Sequence, residues 1–109
     1  MTFNEYQIAS NKTAQYPKEE LALYYLGLGI AGEAGEVAEK IKKILRNDNG
    51  VVTDEKKLEL KKELGDILWY MAQVGVVLGF EFDDVAETNL IKLQDRLDRG
   101  VLKSEGDNR

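Results

Sequence analysis

Two short stretches of the chain place carboxylates at helical spacing beside apolar stripes. In Ala31-Gly-Glu-Ala-Gly-Glu-Val-Ala-Glu-Lys-Ile-Lys-Lys43, Glu33 and Glu36 are three residues apart, bordered by Ala34, Val37, Ala38, Ile41, Ile44 and Leu45. Three residues is nearly one helical turn, so the two side chains leave the same side of the helix. Lys61-Lys-Glu-Leu-Gly-Asp-Ile-Leu68 repeats the device with Glu63 and Asp66, flanked by Leu60, Leu64, Ile67, Leu68 and Met71. If the two stripes pack together, four carboxylates converge at the edge of a helix–helix interface. Like charges at this spacing cost a few tenths of a kcal/mol on an exposed helix, and several kcal/mol each when desolvated without a partner. Such a cluster calls for a divalent cation.

Acidic pairs at this spacing are common here, because Asp and Glu make up 20 of 109 residues. Glu36 with Glu39, Glu81 with Asp84, Asp84 with Glu87 and Asp95 with Asp98 also fit, and each reads as a solvated helix face. The two chosen pairs differ in their setting. Each borders the apolar stripe of a long helical segment and encloses a glycine, Gly35 or Gly65. The turn between the segments makes them antiparallel neighbours, and the pairs lie at similar distances from it, so they can face one another.

Composition narrows the chemistry. With no cysteine and no histidine, thiolate and imidazole zinc sites and Ser-His or Cys-His nucleophiles are excluded. Oxygen must hold any metal, which favours Mg²⁺, Mn²⁺ or Ca²⁺. A formal net charge of -5 argues against a nucleic-acid binder, although a nucleotide can be bridged to carboxylates through metal. The apolar runs fall short of the roughly 20 residues of a spanning helix, and the N-terminus has no signal-like run, so a soluble, cytoplasmic protein without a membrane partner is expected. Length and a hydrophobic content of 43% fit one domain over residues 1–109, with a polar C-terminal tail from about residue 101.

The elements that must position the acids follow from breakers and caps. Thr2 and Glu5 have capping-box spacing and open a first helix that ends before Tyr16. Pro17 suits the first turn of a second helix, with Glu19 and Glu20 favourable to its dipole. That helix runs to the turn Asn47-Asp-Asn-Gly50 and contains Gly27, Gly29, Gly32 and Gly35. Either it bends at these glycines or something approaches its backbone closely. Thr53 caps a third helix that ends near Gly79, and Asp83 or Asp84 caps a fourth that ends near Gly100. The expected fold is all-α, an antiparallel bundle of four main helices. Trp69, Val74, Val76, Val77 and Leu78 crowd several faces of the third helix, which points to a homo-oligomer.

Taken together, the residues resemble a family. Glu33-Ala-Gly-Glu36 followed by Glu63-Leu-Gly-Asp66 resembles the signature of the MazG-like, all-α nucleotide pyrophosphohydrolases. The likeness extends to Glu5-Tyr-Gln7, Thr13-Ala-Gln-Tyr-Pro17, Asn89-Leu-Ile-Lys92-Leu-Gln-Asp-Arg96 and Gly106-Asp-Asn-Arg109, and so covers nearly the whole chain. The resemblance implies Mg²⁺-dependent cleavage of a nucleoside triphosphate, a dNTP or a non-canonical NTP, to monophosphate and pyrophosphate, in nucleotide-pool control. Mn²⁺ is a possible substitute. It implies Glu33, Glu36, Glu63 and Asp66 as metal ligands, with Glu36 or Glu63 accepting the proton of the attacking water. It also implies Lys92 and Arg96, with Asn89 on the same side and Tyr70 one turn after Asp66, as phosphate contacts, and assembly as a homodimer or homotetramer. Lys62 departs from the pattern, since several members carry a second Glu there.

Other residues read more plainly. Trp69, Tyr24 and Tyr25 suit ordinary packing, while Tyr16 either flanks a base pocket or closes the core. Lys40, Lys42, Lys43 and Arg46 give the second helix a basic end suited to its dipole, with a phosphate role open to Lys40 and Lys43. The alternative from another class is a non-catalytic helical interaction module with a structural metal site, and the plain alternative for Lys92 and Arg96 is a solvated helix face with Arg96 paired to a nearby acid.

Overall fold

A computed structural model describes residues 1–109. The element order is α1 (Phe3–Ser10), a 3₁₀ turn (Asn11–Thr13), a second 3₁₀ turn (Glu19–Leu21), α2 (Ala22–Asn47), α3 (Asp54–Leu78) and α4 (Phe82–Asp98). There is no strand, and the four main helices are those expected from the sequence. Thr2 and Glu5 form the capping box, with Thr2 Oγ1 accepting from the Glu5 amide at 3.0 Å and Glu5 Oε1 from the Thr2 amide at 2.9 Å. The Thr53 hydroxyl caps α3 by accepting from the Lys56 amide, and Gly79 closes that helix in the left-handed conformation at φ 81°. A side chain with a Cβ is disfavoured there.

Two cap assignments differ from expectation. Pro17 does not open α2, because the chain first makes the 3₁₀ turn and enters α2 only at Ala22. Nor do Asp83 and Asp84 cap α4, whose N-cap is Glu81 without a side-chain bond. Asp83 is engaged elsewhere: its carboxylate accepts from the Asn4 amide at 3.2 Å, and its own amide donates to Asn4 Oδ1 at 2.8 Å. A reciprocal tertiary pair with α1 takes the place of a local cap.

The α2–α3 hairpin is the main packing unit. The residues turned inward on α2 are Ala22, Leu26, Gly29, Ile30, Glu33, Val37, Lys40 and Ile44, a pattern with the period of a straight α-helix. Opposite them α3 presents Glu59, Glu63, Ile67, Tyr70 and Val74. Polar residues thus interrupt an otherwise apolar seam. Ala34, Ile41 and Leu45, the other flank of the stripe read from the sequence, remain exposed.

Gln7 ties the remaining elements together. Its Nε2 donates to the Ala72 and Phe80 carbonyls at 3.1 and 3.2 Å, and its Oε1 accepts from the Phe82 amide at 3.1 Å. One buried amide therefore joins α1, the end of α3 and the start of α4, which satisfies backbone groups at a helix terminus. Phe3 packs on Phe82 with ring centroids 5.0 Å apart. So α4 leans on α1 instead of lying along the hairpin, and the chain is open, with a radius of gyration of 16.9 Å against about 13 Å for a closed domain of this length.

Candidate active site

The acids meet where the polar residues interrupt the seam. Glu33 from α2 and Glu63 and Asp66 from α3 bring one carboxylate oxygen each to within 4.8 Å of one another. Glu33 and Glu63 are half-buried and Asp66 is exposed. Glu36 lies outside this group of three and is exposed, because three residues rotate it off the line facing α3. It remains close enough to act on Glu33. Desolvation first, then the charges of Asp66, Glu63 and Glu36, push the Glu33 carboxyl above the usual carboxylate range.

One cation borders the group. Lys40 Nζ lies 3.6 Å from Glu63 Oε1 and 4.0 Å from Glu59 Oε2. On the other side a cavity of about 350 Å³ is lined by Thr13, Glu33, Asp66, Trp69 and Tyr70. Trp69 Nε1 donates to Thr13 Oγ1 at 2.8 Å and to the Ser10 carbonyl at 3.2 Å, so the indole is fixed by the turn after α1. Its ring meets Tyr70 edge-on with centroids 5.1 Å apart, and Tyr25 and Tyr16 continue the row at 6.4 and 5.9 Å. Burial, followed by Tyr25, Glu33 and Asp66, pushes the Tyr70 phenol up. Tyr16 and Pro17 therefore stand near this wall, and a second apolar cavity of about 350 Å³ lies among Pro17, Lys18, Leu21, Tyr24 and Tyr25. The bonded role of Trp69 was not visible in the sequence, where it read as plain packing.

The glycines of α2 are not alike. An added Cβ at Gly29 would overlap the Tyr70 ring, whereas Gly27, Gly32 and Gly35 face open space. Gly29 therefore lets Tyr70 stand against α2 beside Glu33.

The structure does not bring the residues on α4 into this group. Asn89 and Lys92 line a different cavity, about 460 Å³, with Phe80, Asp84, Val85 and Thr88. Arg96 is only 4% exposed, and its Nη2 donates to Asp107 Oδ1 at 2.8 Å. Lys92 Nζ meets the same oxygen at 3.0 Å.

Residues 23–101 match the MazG nucleotide pyrophosphohydrolase domain, which is well over half of the chain. The chain belongs to the MazG family. It is also similar to the Gene 37 protein of Mycobacterium phage L5, at 48% identity over 109 residues, covering 95% of this chain and 96% of the phage protein. No solved structure matches it. Membership carries the coarse activity, hydrolysis of nucleotides, and fits the acid group as a divalent-metal site built from oxygen donors alone. No helix is long and apolar enough to cross a membrane.

Proposed function

We propose that this MazG-family protein hydrolyses nucleoside triphosphates, dNTPs or non-canonical NTPs, between the α and β phosphates, releasing monophosphate and pyrophosphate, as a step in nucleotide-pool control. The observation that carries the reading is the group formed by Glu33, Glu63 and Asp66, three carboxylates from facing helices beside an aromatic cavity. Mg²⁺, with Mn²⁺ able to replace it, fits these donors, and when bound supplies charge neutralisation on phosphate oxygens and a more acidic water.

The chain's own residues do the rest. Glu33, Glu63 and Asp66 would hold the cation, with Glu36 completing the acidic set. Glu36 is exposed and free of the group of three, which suits it to take the proton of the attacking water. Trp69, held at its indole nitrogen, and Tyr70 wall the cavity and limit water around the reacting phosphorus. Lys92, Arg96 and Asn89 take up charge on the departing pyrophosphate. In one chain Asn89 and Lys92 line a different cavity from Glu33 and Asp66, so the reading includes a homodimer or homotetramer in which α4 of one copy approaches the acids of another.

The test is a phosphorus NMR time course over canonical and modified dNTPs and NTPs with Mg²⁺. Pyrophosphate as the primary product, abolished in Glu36→Gln and in Asp66→Asn while both variants keep their helical spectrum, is expected. Orthophosphate as the primary product, or near-normal turnover in both variants, overturns the assignment. No turnover with any triphosphate would favour the interaction-module alternative.

A further inference from the structure

The last nine residues, 101–109, fold back on α4 and are held there almost wholly by polar contacts. Arg96 Nη2 donates to the Asp107 carbonyl as well as to its carboxylate. Arg99 donates to the Arg109 carbonyl, and Arg109 in turn donates to the carbonyls of Val101, Gly106 and Leu102. Most of the segment's side chains are exposed, so little apolar burial holds it down.

One oxygen of this segment bridges two cations. Asp107 Oδ1 lies 3.0 Å from Lys92 Nζ and 2.8 Å from Arg96 Nη2, which is how a bound anion sits between basic side chains. Arg96 and then Lys92 hold the Asp107 carboxyl below its usual range, so it is anionic at neutral pH. The carboxylate is also 78% exposed, and water and solutes reach it. Arg96, by contrast, is nine-tenths buried, and its Nε has no acceptor. The segment leaves that guanidinium incompletely satisfied, and a phosphate group offers more acceptor oxygens than the one carboxylate oxygen and one carbonyl of Asp107 now in place.

We propose that the C-terminal segment is a resident anion for the Lys92–Arg96 pair, which a phosphate-bearing ligand must displace, so that residues 101–109 and the polyphosphate of the nucleotide compete for the same two cations. The proposal rests on the assignment of Lys92 and Arg96 to phosphate made above. Exchange is favourable because pyrophosphate carries more charge than one carboxylate. The segment keeps the pair neutralised when no nucleotide is bound, and loosens when one arrives.

The chain has no cysteine, so Asn108→Cys accepts a single nitroxide label in the full-length protein. Inorganic pyrophosphate, titrated without metal at constant ionic strength, is expected to mobilise the label saturably. Adding Asp107→Asn is expected to mobilise it without ligand and to tighten pyrophosphate binding by about three- to tenfold. A label that stays immobile while pyrophosphate saturates the protein overturns the proposal. So does weaker pyrophosphate binding in Asp107→Asn, which would make Asp107 a residue that positions the pair. Lys92→Gln separates the two levels of the argument. Weaker pyrophosphate binding in that variant with an immobile label in the parent leaves the phosphate assignment standing and removes only the competition. Unchanged binding removes both. The labelled Asn108→Cys protein alone reads out displacement, so that measurement needs no second substitution.

Discussion

Lys40 on α2 holds its ammonium 3.6 Å from Glu63 Oε1 on α3, so a cation of the protein already rests against one of the three clustered acids. It offsets part of the repulsion that Glu33, Glu63 and Asp66 exert on one another, and it must give way or turn aside when a divalent ion draws on Glu63. A partly exposed pair of this kind is worth about 0.2–1 kcal/mol. Replacing Lys40 by glutamine is therefore expected to tighten Mn²⁺ binding on the order of two- to fivefold and to lower the metal-free Tm. Isothermal titration with Mn²⁺ and thermal melts in chelator check both effects. Weaker binding in the variant would mean that Lys40 supports the site instead of opposing the metal.

Glu33 gives the site a pH signature. Its carboxyl is raised by desolvation and by Asp66, Glu63 and Glu36, so the folded chain binds this proton more tightly than the unfolded chain. Stability from such a group is present in full below the unfolded value and is lost as pH rises through the folded one. The metal-free protein should thus lose stability at this site as pH climbs through the carboxylate range towards neutrality. Asp107 has the opposite sign: Arg96 and Lys92 depress it, and its contribution is lost as pH falls. Glu33→Gln keeps the shape without the charge. Its metal-free Tm is expected to exceed that of the parent by a few degrees at neutral pH, with the difference shrinking in acid and with no gain from Mg²⁺. A variant less stable than the parent at neutral pH would show that the Glu33 charge is compensated.

The helices and most of their ends were legible because local chemistry decides them: the Thr2 and Glu5 capping box, the Thr53 cap and the Gly79 stop all form as read. Long-range bonds were not legible. Asp83 has the spacing of a cap but pairs with Asn4, and Gln7, legible only as part of the Glu5-Tyr-Gln7 stretch of a short helix, closes three elements. Spacing put Glu33 and Glu36 on one side of α2, as it should, but which of two neighbouring positions faces α3 depends on the rotation of the helix in its seam. That rotation is set by packing along the whole hairpin. The same rotation leaves Ile41 and Leu45 outside it, which no single stripe could reveal.

Gly29 is expected to be the least replaceable glycine of α2. Alanine normally favours a helix interior over glycine by about 1 kcal/mol. At Gly29 the added methyl would overlap the Tyr70 ring and drive it from its place beside Glu33 and Asp66. Gly29→Ala should lower both Tm and turnover, with KM rising as the cavity wall is displaced, whereas Gly32→Ala, with open space at its Cβ, should be tolerated. Melts and steady-state kinetics on the two variants decide it. Equal behaviour would mean that Tyr70 swings aside without consequence.

The open shape of the chain leads to a prediction about assembly. Its accessible surface is 8042 Å², whereas a folded monomer of 12.3 kDa is expected to expose about 6,100 Å². The excess, roughly 1,900 Å² per chain, is on the scale of an obligate interface. Its composition fits, because Leu28, Leu90 and Ile91 are 77%, 66% and 71% exposed, and Val76, Val77 and Leu97 are exposed as well. Large apolar side chains exposed in this number are seldom all left in water. Because α4 leans on α1 and leaves the hairpin uncovered, a second copy can bury the exposed sides of α2 and α3 and bring its own α4 with it. Light scattering at micromolar concentration is expected to give a multiple of 12.3 kDa. Leu90→Lys combined with Ile91→Lys should reduce that mass and abolish turnover together, although neither residue belongs to the acidic group. A monomeric parent with full activity would refute the assembly and require α4 to reach the acids within one chain.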